Sequence, residues 1–100
     1  MKKKPPKEDE LPEATREVIV SNKLGIHSRP AALFVRIAGR FKCMIFVEKD
    51  REVYNAKSHM SMLNLAAGPG AKLLIRARGE DAEQAVEALA DLVHRGFEEK

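Results

Sequence analysis

One hundred residues, 44% hydrophobic and 33% charged, make one globular domain with enough chain to bury a core. One cysteine excludes an internal disulfide framework or a cysteine-rich metal site and fits a cytoplasmic protein, and no apolar run nears the roughly 18 residues of a membrane helix. The net charge of +3 lies in residues 16–100, because Lys2, Lys3, Lys4 and Lys7 balance Glu8, Asp9, Glu10 and Glu13 before them. No Lys/Arg block carries it, so a nucleic-acid surface is only weakly supported, and an anionic small group or an acidic protein partner fits about as well.

Residues 1–15, MKKKPPKEDELPEAT, have three prolines and almost no large apolar side chain. Such a stretch buries too little to offset ordering entropy and reads as a disordered tail. Its basic start lacks the apolar stretch of a secretory signal. The folded domain is expected over 16–100.

REVIVSN (16–22) is a β-branched, strand-like run, and a turn at 23–25 follows. SRPAALFVRIAGRF reads as a helix capped by Ser28 or His27, with Pro30 in the first turn where its missing N–H costs nothing. Ala31, Phe34, Val35 and Ala38 form its buried stripe. KCMIFVEK turns Cys43, Ile45 and Val47 to one side, a half-buried strand. A turn at 50–52 leads to a short strand, VYNA. Ser58 is a good N-cap for the next helix, on which Met60, Leu63 and Leu65 can share a face. AKLLIRARG alternates Leu73, Ile75 and Ala77 against Lys72, Leu74, Arg76 and Arg78, a one-face strand. The last helix, EDAEQAVEALADLVHRGF, starts with a capping-box pair, Asp81 and Gln84. It buries Ala82, Ala85, Val86, Leu89, Leu92 and Val93, with Gly96 suited to a left-handed C-terminal position. The order β-α-β-β-α-β-α, with one-sided strands, implies an antiparallel sheet covered on one face, a two-layer α+β sandwich. Patterning alone leaves a ferredoxin-like arrangement open.

GIHSRPAA (25–32) carries the chemistry. A helix N-terminus offers unpaired N–H groups and partial positive charge, so it binds anions. Arg29 adds a guanidinium that grips phosphate or carboxylate. His27 stands where a phosphoryl group on its own ring would be stabilised, in surroundings that favour the neutral, nucleophilic ring. No HExxH, P-loop, GxGxxG or Ser-His-Asp arrangement accompanies it, and no metal or cofactor site is predicted. The chain reads as a carrier or binding module, not an enzyme.

NKLGIHSRPAALFV resembles the active-site segment of the HPr family, the histidine-containing phosphocarriers of the bacterial phosphoenolpyruvate-dependent phosphotransferase system. The resemblance spans about 16–97 and includes the Lys-Ser-x-Met motif, here KSHM, and the alanine-rich last helix. It implies an open-faced β-sandwich of four antiparallel strands with three helices on one side. It implies that His27 accepts a phosphoryl group on Nδ1 from enzyme I and passes it to sugar permease A domains or regulatory targets. Arg29 would contact the phosphoryl group and the partners. Ser58 would be the serine phosphorylated by HPr kinase/phosphorylase, and a transcriptional regulator would be a further partner. The docking patch would include Ala32, Met60 and Leu63; for Leu63, core and interface fit equally. A monomer that contacts neither nucleic acid nor membrane is expected. A nitrogen-type or regulatory carrier of an incomplete system, and a binding module that no longer carries phosphate, stay open beside the sugar-uptake reading. His59 departs from the large aliphatic or aromatic residue usual at its position and reads as tolerated. His94 reads as a solvated surface residue and Cys43 as a small buried hydrophobe. The tail is a second departure, since family members usually start within a few residues of the first strand.

Overall fold

Alternation builds the sheet. In the computed structural model, which describes residues 10–99, the strands are β1 (Glu13–Ile19), β2 (Met44–Lys49), β3 (Glu52–Asn55) and β4 (Lys72–Arg78). They pair antiparallel in the order β1-β4-β2-β3. Every second side chain faces the helices: Val18, Ile45, Val47, Leu73, Ile75 and Ala77 are buried. The other face is open and laced by ion pairs across strands, Arg76 to Glu48 at 2.9 Å and Arg78 to Glu13. Lys49 pairs with Glu52, so Asp50 and Arg51 form a two-residue turn with φ of 49° and 70°. That conformation matches the twist of a hairpin.

Three helices, α1 (Ser28–Ala38), α2 (His59–Leu65) and α3 (Ala82–His94), cover the inner face. Helix α3 lies along β1, β4 and β2 and buries all six residues of its expected stripe, together with Ala90. Helix α1 packs on α2 and α3 through Ala31, Phe34 and Ala38; Val35 is only partly buried. The result is the expected open-faced β-sandwich. Burying the apolar side chains contributes about 1.5–3 kcal/mol for each large one, and Phe34, Ile45, Leu73, Ile75 and Leu89 are all fully buried.

Three local expectations are corrected. First, β1 begins at Glu13, so residues 13–15 belong to the sheet and not to the tail. Glu13, Ala14 and Thr15 pair with Arg78, Ala77 and Arg76, and the Gly79 N–H donates to the Pro12 carbonyl at 2.9 Å. The tail reading of 1–9 lies outside the described residues. Second, α2 turns Met62 and Leu65 into the core, while Met60 is 69% and Leu63 38% exposed. Met60, Leu63 and Leu65 therefore do not share one buried face. Third, Asp81 makes no side-chain cap bond to α3. Its carboxylate instead accepts from the N–H groups of Lys42 and Cys43 at 2.8 and 2.9 Å, tying the start of α3 to the approach of β2. The helix also stops at His94, where Gly96 takes φ of 61° and a 3-10 turn over Gly96–Glu98 buries Phe97.

Candidate functional site at the mouth of α1

The loop from β1 to α1 is held from below. Asn22 is 6% exposed, and its amide donates to the Gly25 carbonyl at 2.8 Å. Gly25 has φ of +70°, and a Cβ there would lie 2.4 Å from the Ala67 carbonyl oxygen. Only glycine accepts both the left-handed backbone and that approach. The next residue uses the same oxygen: the Ile26 N–H donates to Ala67 at 2.7 Å. The loop before α1 is thereby fastened to the loop after α2.

The fastening places His27 as the N-cap of α1. Its backbone is extended, its carbonyl accepts from the Ala31 N–H at 2.9 Å, and its side chain makes no cap bond. The sequence left Ser28 and His27 as alternatives; His27 takes the position. Ser28 and Arg29 precede the first intrahelical bond and Pro30 has no N–H, so the mouth of α1 exposes donors with no acidic residue in the first turn.

The imidazole reaches across 72 residues instead. His27 Nε2 lies 2.9 Å from Glu99 Oε2, and Asn22 Nδ2 donates to Glu99 Oε1 at 2.7 Å. The Asn22 hydrogen bond is the main force holding the Glu99 carboxyl below the usual range. Partial burial opposes it, while His27 and Arg29 add to it. Sequence reasoning missed Glu99 and Asn22. Arg29 joins them along a depression of about 750 Å³ that also takes in Lys23, Leu24, His94 and Arg95. Neither Lys23 nor Arg29 has an ion-pair partner among the described residues.

The second motif sits on α2. Ser58 is its N-cap, and Ser58 Oγ accepts from the Ser61 N–H at 3.2 Å. His59 and Met60 follow and are exposed, Ala32 on α1 is partly exposed, and Leu24 is 71% exposed. Apolar surface therefore lies open on the first two helices and the loop leading to α1. Leu24 was not singled out in the sequence, although a leucine in a turn with no periodic partner is a signal for an exposed apolar contact.

Cys43 is buried; burial and the neighbouring Asp81 push its thiol up to about 11, so it is an inert hydrophobe at neutral pH. Among the described residues no group of three His, Cys, Asp or Glu side chains is placed to hold a metal ion. No helix among them is long and apolar enough to cross a membrane.

An open-faced β-sandwich that presents at a helix mouth the ring of an N-cap histidine making no capping bond offers a side chain able to receive a group. Comparison with known proteins agrees. The family described as PTS HPr component phosphorylation site matches residues 14–95. The phosphocarrier protein HPr of Pseudomonas aeruginosa is 40% identical, over 83% of this chain and 93% of that one. The crystal structure of an HPr from Thermoanaerobacter tengcongensis superposes with a TM-score of 0.84 at 41% identity, covering 87% of this chain and 98% of that one. Crh of Bacillus subtilis, an HPr-like protein, is 45% identical over 78% of this chain and 90% of that one, with a TM-score of 0.68, in a crystal structure of a domain-swapped dimer. The chain belongs to the HPr family of phosphocarriers, which carry phosphoryl groups within the phosphotransferase system.

Proposed function

We propose that His27 accepts a phosphoryl group on Nδ1 from phosphorylated enzyme I and passes it to the A domains of sugar permeases or to regulatory targets. The observation that carries this reading is a cap histidine whose side chain caps nothing. Its main chain starts α1, while its ring stands half exposed. A phosphoryl group there meets the free N–H groups of the helix mouth, which contribute on the order of 0.3–2 kcal/mol, and the guanidinium of Arg29. That scale suits a reversible relay, since tighter binding would trap the group. Donor and acceptor proteins complete the site, so catalysis is mainly positioning with charge stabilisation.

Met60, Ala32, Leu63 and the newly noted Leu24 form the docking patch, with Lys23 and Arg29 at its rim to meet acidic partners. Ser58 is the regulatory site for an HPr kinase/phosphorylase. A phosphate there adds about −1.5 to −2 charges beside the patch and repels an acidic partner. In this reading the working unit is a monomer acting in the cytoplasm beside its donors, although the Crh relative forms a domain-swapped dimer in its crystal structure.

The Crh relative favours a second reading, in which phosphorylation feeds regulation instead of sugar uptake. An intact His27 with Arg29 argues against a pure binding module. The test is incubation with enzyme I and phosphoenolpyruvate, followed by intact mass. One acid-labile phosphoryl group on the protein and none on H27A is expected. No gain, with enzyme I active on another HPr, overturns the reading.

A further inference from the structure

We propose that Glu99 is a positioning residue for His27: its carboxylate, clamped by Asn22, keeps the ring proton on Nε2 and leaves the Nδ1 lone pair free to take the phosphoryl group. The inference rests on the phosphocarrier reading and adds to it a residue far from either motif.

The geometry has two halves. One Glu99 oxygen accepts from Asn22 Nδ2 at 2.7 Å and the other lies 2.9 Å from His27 Nε2. The orientation of Asn22 is decided by its partners. Its nitrogen serves two acceptors, the Gly25 carbonyl and Glu99, so the amide cannot flip without losing both bonds. An ionised carboxylate only accepts. Nε2 must therefore donate, and the neutral ring then has its lone pair on Nδ1. A glutamate carboxyl of ordinary pKa is already ionised at neutral pH, and the Asn22 hydrogen bond holds that of Glu99 lower still.

The backbone shows how the carboxylate gets there. Gly96, Phe97 and Glu98 all have positive φ, of 61°, 57° and 63°. Left-handed backbone at two consecutive non-glycine residues is strained. Burial of the Phe97 ring, 1% exposed, holds it in place. The chain thus leaves α3 abruptly and brings Glu99 over the ring, with its side chain 18% exposed.

In the transfer step the Nδ1 lone pair forms the bond to phosphorus. The bond between phosphorus and the donor breaks, and its electron pair leaves with the donor. The proton stays on Nε2, and the Glu99 carboxylate balances the positive charge the ring acquires. The arrangement orients the ring as second-tier hydrogen bonds orient ligand and catalytic histidines elsewhere.

The experiment uses the full chain, with E99A and E99Q. The E99A variant removes the acceptor. E99Q keeps the shape but supplies one acceptor end and one donor end. It must either oppose the Asn22 amide with its own or donate to Nε2, which drives the ring proton to Nδ1. Two readouts are taken: 15N shifts of the neutral His27 ring, and phosphorylation by enzyme I with phosphoenolpyruvate. The wild-type ring is expected to be protonated at Nε2 alone. In E99A the Nδ1–H form appears and kcat falls about tenfold with KM for the carrier unchanged; in E99Q both effects are larger. Unchanged ring shifts with rates within about twofold of wild type would overturn the role, as a merely structural residue moves neither. If the wild-type protein takes no phosphoryl group, the phosphocarrier reading fails by itself. The ring shifts then decide the clamp alone, and a wild-type pattern in both variants overturns it.

Discussion

Helices α1 and α2 begin in the same way on the main chain and in opposite ways at the side chain. Each follows a residue with extended backbone. At α2 the Ser58 hydroxyl turns inward and accepts from Ser61, so the side chain works for its own helix. At α1 the His27 ring turns away and meets Glu99, and the helix is anchored by other means: Pro30, the buried stripe, and the Gly25 contact with Ala67. A capping bond contributes about 0.5–2 kcal/mol. Forgoing it at α1 leaves a nucleophilic ring at the helix mouth, held against the Glu99 carboxylate. Asp81 is a third variant, since its carboxylate leaves α3 to bind the N–H groups of Lys42 and Cys43.

The largest effect should come from the residue with the least structural duty. H27A is expected to lose all detectable phosphorylation by enzyme I, while its thermal midpoint falls by no more than about 4–8 °C, the loss of its one side-chain hydrogen bond to Glu99. A drop comparable to that of a core variant would mean that the ring is structural.

Next comes Gly25, the residue that substitutes for the missing cap. G25A forces a side chain into left-handed backbone and against the Ala67 carbonyl oxygen. The cost should be about 3 kcal/mol, read as a fall of about 12–24 °C in Tm. A stable G25A would show that the two loops are not fastened as described.

S58A should cost about 1 kcal/mol in urea unfolding while leaving phosphorylation at His27 intact. The reversed pattern, stability kept and transfer lost, would dissolve the contrast between the two caps. The smallest effect is at Asp81. Its carboxyl lies below the ordinary range, chiefly because the Lys42 N–H donates to it. A lowered folded-state pKa contributes stability above the unfolded value, about 3.9, and that stability is lost as pH falls through the folded value. The stability gap between wild type and D81N, measured by denaturation across pH, should therefore be full near neutrality and close in acid.

How far the sequence could be read follows from the reach of each signal. Sheet alternation and the stripe of α3 are local periodicities, and both were legible. Helix α2 was not, because it is seven residues long and carries two apolar pairs at helical spacing. Met60 with Leu63 and Met62 with Leu65 are equally good on paper, and only packing against the core selects the second. The start of β1 was hidden by composition. Ala14 is the one inward residue in 13–15, and the pairing of Glu13 with Arg78 crosses 65 residues. Glu99 was out of reach for the same reason. The motif around His27 was visible, but the carboxylate beside it arrives from the other end of the chain.

The most direct measurement takes wild type, H27A and S58A through one protocol: enzyme I with phosphoenolpyruvate, peptide mapping of the phosphoryl group, and thermal melting of the same samples. One acid-labile group is expected in wild type and S58A, located in the peptide holding 25–32, and none in H27A, with both variants melting within about 8 °C of wild type, the cost of one hydrogen bond each. A phosphoryl group found elsewhere, or an H27A protein that melts as low as a core variant, would contradict the carrier role of His27.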